Sequence, residues 1–179
     1  MAAGDGYLLD NNVISVLARP TDPRYASIER HLKALLDAPV LLPVIAIAEI
    51  EFGMAKAMNP DPAQQAQLRA FFNRYPLHLG IDDNTVEPYS QLRAEIWRLH
   101  ATPRNRGHKE RLPEQLKDRN TGKELGIDER DLLIASVAAQ YNLVLATIDS
   151  NPGMQRIEAA AVSLASKGSP ISLRISYWN

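Results

Sequence analysis

Four acidic residues fall where a parallel sheet would bring their side chains together. Each follows a predicted strand or begins a helix beside one, and they are Asp10, Glu49, Asp131 and Asp149. Ligands of open parallel sheets bind outside the carboxyl ends of the strands. Four carboxylates at that edge would repel one another unless they were protonated or neutralised, and hard oxygen ligands suit Mg²⁺ or Mn²⁺. The pattern therefore predicts a metal site of the kind that hydrolyses phosphodiester bonds.

Each acid taken alone also has a structural explanation. A carboxylate in a first helical turn stabilises the helix dipole, and an acid after a strand is a common turn residue. Two nearby acids are expected to have structural roles of this kind. Glu51 lies about 200° around a helix from Glu49, so both cannot face one site and Glu51 is expected to face solvent. Asp128 precedes Asp131 by three residues, which is the spacing of a helix N-cap.

The elements that must position these acids alternate along the chain. Short apolar runs predict strands at 7–9, 40–45, 77–81, 143–147 and 171–177. Amphipathic runs predict helices at 11–18, 25–36, 46–58, 63–75, 85–100, 129–141 and 154–166. This alternation predicts an α/β fold, a three-layer α/β/α sandwich with a mainly parallel sheet of about five strands. Pro43 inside the second run indicates an edge or irregular position for that strand.

Composition narrows the class of protein. A chain of 179 residues with 45% hydrophobic and 23% charged residues is typical of one globular domain, so residues 1–179 are expected to form a single domain. The absence of cysteine excludes disulfides, thiolate metal sites and a cysteine nucleophile. There is no apolar run of about 18 residues and no signal sequence in residues 1–6, so a cytoplasmic protein without a membrane span is expected.

The charge is balanced in total and divided along the chain. The net charge of −1 and the pI near 6.4 exclude a strongly basic nucleic-acid-binding domain. Residues 98–123 nevertheless carry eight basic and three acidic residues, which makes this segment +5 and the remainder −6. Residues 102–126 lack periodicity and are rich in proline, glycine and charge, which predicts a long basic loop or insertion.

Four segments, in order along the chain, resemble the PIN-domain ribonucleases, specifically VapC-type toxins of toxin–antitoxin pairs. They are LDNNVIS at 9–15, IAEIEFG at 47–53, DLLIAS at 131–136 and the turn Thr147-Ile148-Asp149. The ending ISYW at 175–178 resembles the closing strand of that family. The resemblance covers residues 7–100 and 127–178.

The resemblance implies a single-domain, Mg²⁺- or Mn²⁺-dependent endoribonuclease that cleaves RNA as the toxin of such a pair. Its catalytic and metal-binding residues would be the four acids already named, with Asp10 and Asp131 foremost. Asn12 would position a carboxylate, and Thr147 would be the small hydroxyl residue beside the site. The resemblance also implies a homodimer and a cognate antitoxin whose tail blocks the acidic groove.

The sequence departs from the family pattern in three places. Met154 stands where the usual phenylalanine after the turn is missing, and the stretch from Met154 to Pro170 is longer than expected. The third departure is the basic segment. Its central cations are expected to hold RNA phosphates, and they are Arg104, Arg106, Lys109 and Arg111. A solvated surface loop explains the same charges, so both interpretations stay open.

Two other functions are consistent with parts of the pattern. A non-catalytic PIN-like module could bind RNA or protein without hydrolysis, although all four acids are present. A magnesium phosphatase or receiver domain would have a similar sheet, but Asp10-Asn11-Asn12 lacks the second aspartate of a phosphatase motif.

Overall fold

The computed structural model describes residues 6–100 and 112–178. These residues form five strands, β1 (Tyr7–Leu9), β2 (Val40–Pro43), β3 (His78–Leu79), β4 (Val144–Thr147) and β5 (Arg174–Tyr177). They also form seven α-helices, α1 (Asn11–Leu17), α2 (Tyr25–Ala34), α3 (Val44–Ala55), α4 (Pro62–Arg74), α5 (Val86–His100), α6 (Glu129–Gln140) and α7 (Pro152–Ser166). The predicted α/β fold class and its parallel sheet are confirmed.

The sheet has the strand order β3-β2-β1-β4-β5. The pairs β1–β2, β1–β4 and β2–β3 are parallel, with Tyr7 opposite Val40 and Leu9 opposite Ala146. Leu8 and Leu9 are fully buried because β1 is the central strand. This order brings the carboxyl ends of β1 and β4 side by side, so the residues after Leu9 and Ala146 are neighbours.

The described chain divides into two compact units. The first comprises residues 6–80, 142–149 and 175–178 and carries the sheet with helices α1 to α4. The second comprises residues 81–100, 112–141 and 150–174, where α5 packs against α6 and α7. The single-domain organisation expected from chain length stays a prediction. Among the residues described, no helix is both long enough and apolar enough to cross a membrane.

Helix N-caps explain several of the boundaries. Asp61 accepts hydrogen bonds from the Ala63 and Gln64 amides at the start of α4, and Pro62 occupies the first helical position. Asn151 caps α7 by accepting from the Met154 amide at 3.0 Å. Met154, expected to replace the family phenylalanine, is 1% exposed and therefore belongs to the core.

Pro43 does not place its strand at an edge. β2 lies between β1 and β3, and Pro43 is both its last residue and the N-cap position of α3. The neighbouring backbone hydrogen bond is donated by the Leu42 amide to the Leu77 carbonyl at 3.0 Å. Of the two predicted alternatives, an edge or an irregular position, the edge is wrong, because a proline at the end of a strand removes no interior hydrogen bond.

The segment predicted as a long loop is folded in its described part, residues 112–126. Lys117 and Glu124 form an antiparallel bridge, and the Leu125 amide donates to the Leu116 carbonyl at 2.8 Å. Leu116 and Leu125 are buried, which gives this turn an apolar anchor that a periodicity search cannot detect. The cations Arg104, Arg106, Lys109 and Arg111 lie outside the described residues.

Trp178, the last residue described, is buried in the first unit, and its packing predicts the effect of its removal on stability. It is 2% exposed, stacks on His31 with 5.6 Å between ring centroids, and donates from Nε1 to Ser176 Oγ at 3.2 Å. Trp178→Ala should lower the free energy of unfolding by about 3–5 kcal/mol in urea denaturation. Trp97, which is 40% exposed, is the matched control and should cost under about 1 kcal/mol when replaced by alanine. Equal losses would contradict the described packing.

Glu95 in α5 gives a prediction for pH dependence. Its side chain is fully buried, accepts from Ser163 Oγ at 2.7 Å, and pairs with Lys167 and Arg98. The hydrogen bond from Lys167 is the main cause that lowers the pKa of Glu95 below its ordinary value of 4.5. A carboxylate with a depressed pKa stabilises the fold above its unfolded pKa and loses that contribution as the pH falls through its folded pKa.

The stability advantage of the wild type over Glu95→Gln should therefore shrink as urea unfolding is repeated from neutral to increasingly acidic pH. Glu87→Gln, at an exposed position of the same helix, should show no such trend. A constant difference between wild type and Glu95→Gln across the series would refute the assigned ion pairs.

Candidate metal centre

Asp10 is the buried acid of the candidate site. It follows β1, is 3% exposed, and caps α1 by accepting the Asn11 amide on Oδ1 at 2.7 Å. Its Oδ2 accepts a hydrogen bond from Thr147 Oγ1, also at 2.7 Å, which joins the ends of β1 and β4. Both oxygens are thus held in fixed positions at the edge of the sheet.

The surroundings of Asp10 disfavour its negatively charged form. Burial is the largest cause that raises the pKa of Asp10, and the negative charges of Asp149 and Glu49 raise it further. The hydrogen bonds from Thr147 and Asn11 act in the opposite direction, and the net shift is upward. The ionised form of Asp10 is therefore disfavoured by its surroundings.

The Thr147 hydroxyl links three parts of the site. While donating to Asp10, it accepts from Asn12 Nδ2 at 3.1 Å and from the Asp149 amide at 2.9 Å. These three bonds use the whole capacity of a hydroxyl, one donor and two acceptors. Asn12 also accepts from the Ile148 amide at 3.2 Å, which secures the turn after β4. Thr147 thus contacts Asp10 directly and Asn12 contacts Thr147, while their roles in a functional site stay predictions.

Glu49 lies on α3 and is held by a residue that the sequence analysis did not single out. Asn11 Nδ2 donates to Glu49 Oε2 at 3.0 Å, and Ser15 Oγ contacts Asn11 Oδ1 at 3.4 Å. The sequence offers no signal for this contact, because a single long-range hydrogen bond leaves no local pattern.

The two neighbouring acids have the structural roles that their spacing favoured. Glu51 pairs with Arg69 of α4 at 3.0 Å, with its side chain 39% exposed. Asp128 caps α6 by accepting the Arg130 amide at 2.8 Å and also pairs with the Arg130 side chain. Neither acid is thus required as a metal ligand.

Asp131 is the third residue of α6, in the first turn, where the helix dipole stabilises a carboxylate. It belongs to the second compact unit, whereas Asp10, Glu49 and Asp149 belong to the first. Three of the predicted acids therefore interact electrostatically, since the charges of Asp149 and Glu49 raise the pKa of Asp10. The convergence of Asp131 with them stays a prediction.

The donor set fits a hard divalent cation in its chemistry. Carboxylate, hydroxyl and amide oxygens are the ligands that Mg²⁺ and Mn²⁺ prefer, and a cation would offset both the burial that chiefly raises the pKa of Asp10 and the smaller effects of the Asp149 and Glu49 charges. Among the residues described, no three acidic or histidine side chains are already grouped at metal-binding geometry. Strand and helix positions therefore determine where the acids that would hold the ion lie. They do not determine the final coordination geometry.

Comparison with known proteins identifies the class to which this fold and site belong. The profile of the PIN domain matches residues 7–159, so the chain belongs to the PIN domain family. A comparison with curated proteins found no match.

Three solved structures illustrate the similarity of fold. VapBC2 from Rickettsia felis, bound to a DNA fragment from its promoter, is 21% identical with a TM-score of 0.63, covering 97% of this chain and 98% of that chain. VapBC-1 from nontypeable Haemophilus influenzae is 19% identical with a TM-score of 0.62, covering 96% and 97%. FitAcB from Neisseria gonorrhoeae is 24% identical with a TM-score of 0.56, covering 85% and 93%.

Replacing Thr147 tests the hydrogen-bond network around Asp10. Thr147→Val keeps the shape of the side chain but leaves Asp10 Oδ2, Asn12 Nδ2 and the Asp149 amide each without this partner. The free energy of unfolding should fall by about 1–3 kcal/mol or more, because such groups are costly when buried and unsatisfied. Thr147→Ser retains the hydroxyl and should recover most of the loss in urea denaturation. If serine and valine were equally destabilising, the methyl group rather than the hydroxyl would be responsible.

Proposed function

We propose that this PIN-family protein is a metal-dependent endoribonuclease that hydrolyses RNA phosphodiester bonds and acts as the toxin of a toxin–antitoxin pair. The observation that carries the proposal is the buried Asp10, fixed by Thr147 at the sheet edge and repelled by Asp149 and Glu49. A protein gains no stability from like charges around a buried acid, so a ligand of opposite charge is the simplest reason for the arrangement.

The proposed catalytic and metal-binding set contains the four acids Asp10, Glu49, Asp131 and Asp149. When bound, Mg²⁺ or Mn²⁺ would supply Lewis acidity and a more acidic water. The chain's own contribution is orientation. The Thr147 hydroxyl and the Asn11 backbone amide fix Asp10, and the Asn11 side-chain amide holds Glu49. A carboxylate not engaged as a ligand would accept the proton of the attacking water.

The proposed partners follow from the family and from the chemistry of the site. The similar structures named above are VapBC and FitAcB assemblies, which supports a cognate antitoxin for this chain. An arginine or lysine from the antitoxin entering the acid cluster would neutralise it as a metal ion does. A homodimer and a cytoplasmic location belong to the same proposal. The cations Arg104, Arg106, Lys109 and Arg111 would add phosphate contacts.

RNA cleavage by matched variants tests this function. Purified Asp10→Asn and Asp131→Asn proteins should cleave RNA about 100-fold more slowly than wild type with added Mg²⁺, since each loses a charge of the centre. Asp128→Asn is the matched control, because asparagine caps a helix as well as aspartate does. Glu51→Gln serves in the same way beside Glu49→Gln.

The main alternative is a PIN-like module that binds RNA or protein without hydrolysis. Equal cleavage by wild type, Asp10→Asn and Asp131→Asn would reject the proposed enzyme. Titration of Mg²⁺ by calorimetry separates the remaining cases, because a non-catalytic module should show no heat that depends on these carboxylates.

A further inference from the structure

A cavity of about 320 Å³ opens beside Glu49 within the first unit. It is lined by residues of α1, α3 and α4, by residues of the connection between α3 and α4, and by Arg19, which follows α1. Its volume is at the lower end of the range of small-ligand pockets, about 300–1,000 Å³. Asn11 and Glu49 belong to its lining as well as to the candidate metal centre, so an occupant of the cavity would adjoin that centre.

The lining has the chemistry of a polar ligand site with apolar parts. Beyond Asn11, three more amide side chains line it, those of Asn59, Gln64 and Gln65. Amides present both donors and acceptors, the groups that read the edges of unstacked bases. Ile50, Met54 and Leu68 form apolar parts of the lining. Its charged residues are Glu49, Asp61 and Arg19, and the guanidinium of Arg19 is suited to phosphate.

Gly53 gives an independent indication that the space is used. It lies in the last turn of α3 and lines the cavity, and glycine in a helix is less stabilising than alanine. Its φ is not positive, and a Cβ added there would have nothing within 4 Å. Neither backbone conformation nor packing within the chain therefore requires glycine. What the missing side chain provides is room for a ligand to approach the helix backbone.

We propose that this cavity binds one unstacked nucleotide of single-stranded RNA next to the cleaved phosphodiester, and that Gly53 keeps it open. The inference rests on the proposed ribonuclease function and specifies where its substrate lies. Because Glu49 lines both places, an RNA strand with a phosphodiester at the acidic centre has its neighbouring nucleotide within reach of the cavity. The amide-rich lining favours a base over an apolar peptide side chain.

Filling the cavity from its glycine wall tests the proposal. Gly53→Leu places a side chain in open space, and Gly80→Leu makes the same change at an exposed glycine that also has nothing within 4 Å of an added Cβ. The probe is a short fluorescent single-stranded RNA of randomised sequence. Its dissociation constant is measured by anisotropy in the cleavage-deficient Asp131→Asn background, and KM and kcat are measured in the active protein.

Gly53→Leu should weaken RNA binding about tenfold or more and raise KM, with Mg²⁺ affinity and melting temperature no lower than in wild type. Gly80→Leu should leave all four quantities unchanged. An unchanged RNA dissociation constant in Gly53→Leu would overturn the proposal. So would a loss restricted to binding of a cognate partner protein, which would assign the cavity to a peptide.

A second variant keeps the test decisive if leucine disturbs the fold. Gln65→Ala removes an amide without adding bulk and should also weaken RNA binding, whereas intact binding by this variant and by Gly53→Ala would contradict the site. The two proposals fail separately. If wild type cleaves no RNA but Gly53→Leu still weakens RNA binding, the enzyme assignment is wrong and the nucleotide site stands.

Discussion

The hydrogen bond from Thr147 to Asp10 is the interaction on which the candidate site depends. It joins the ends of two neighbouring parallel strands, and it holds a carboxylate that is almost fully buried. The same hydroxyl receives Asn12 and the Asp149 amide, so the start of α1 and the turn after β4 are fixed by one side chain. The position of the acid is thus a property of the central strands rather than of a flexible loop.

The surroundings of this hydrogen bond are unfavourable for the ionised form of Asp10. Burial and the charges of Asp149 and Glu49 all oppose ionisation of Asp10 and raise its pKa. Elsewhere the chain treats its acids differently, since the equally buried Glu95 is paired with Lys167 and Arg98. Glu95 is thus paired with cations of the chain, whereas Asp10 accepts hydrogen bonds from Thr147 and Asn11 and the charges of Asp149 and Glu49 add to the effect of its burial. That contrast is the physical basis of the proposal that a cation binds at this edge of the sheet.

Much of this architecture could be predicted from residue types and spacing. Apolar periodicity located five strands and seven helices, because a half-buried element must repeat its apolar residues at its own period. Asp10 could be placed at the end of β1 because it follows the first apolar run, and Asp128 because helix caps have a fixed spacing. The turn around Leu116 and Leu125 could not be, since two buried residues show no period. Asn11 was missed because a single long-range hydrogen bond leaves no local pattern.

The central claim is that the acidic centre cuts RNA, and sequencing of RNA ends after induced expression tests it most directly. Cells expressing the wild-type chain should accumulate new RNA ends at discrete positions, which would also identify the target. Cells expressing Asp10→Asn at the same level should not. The same ends in both cultures, or none in either, would contradict the account.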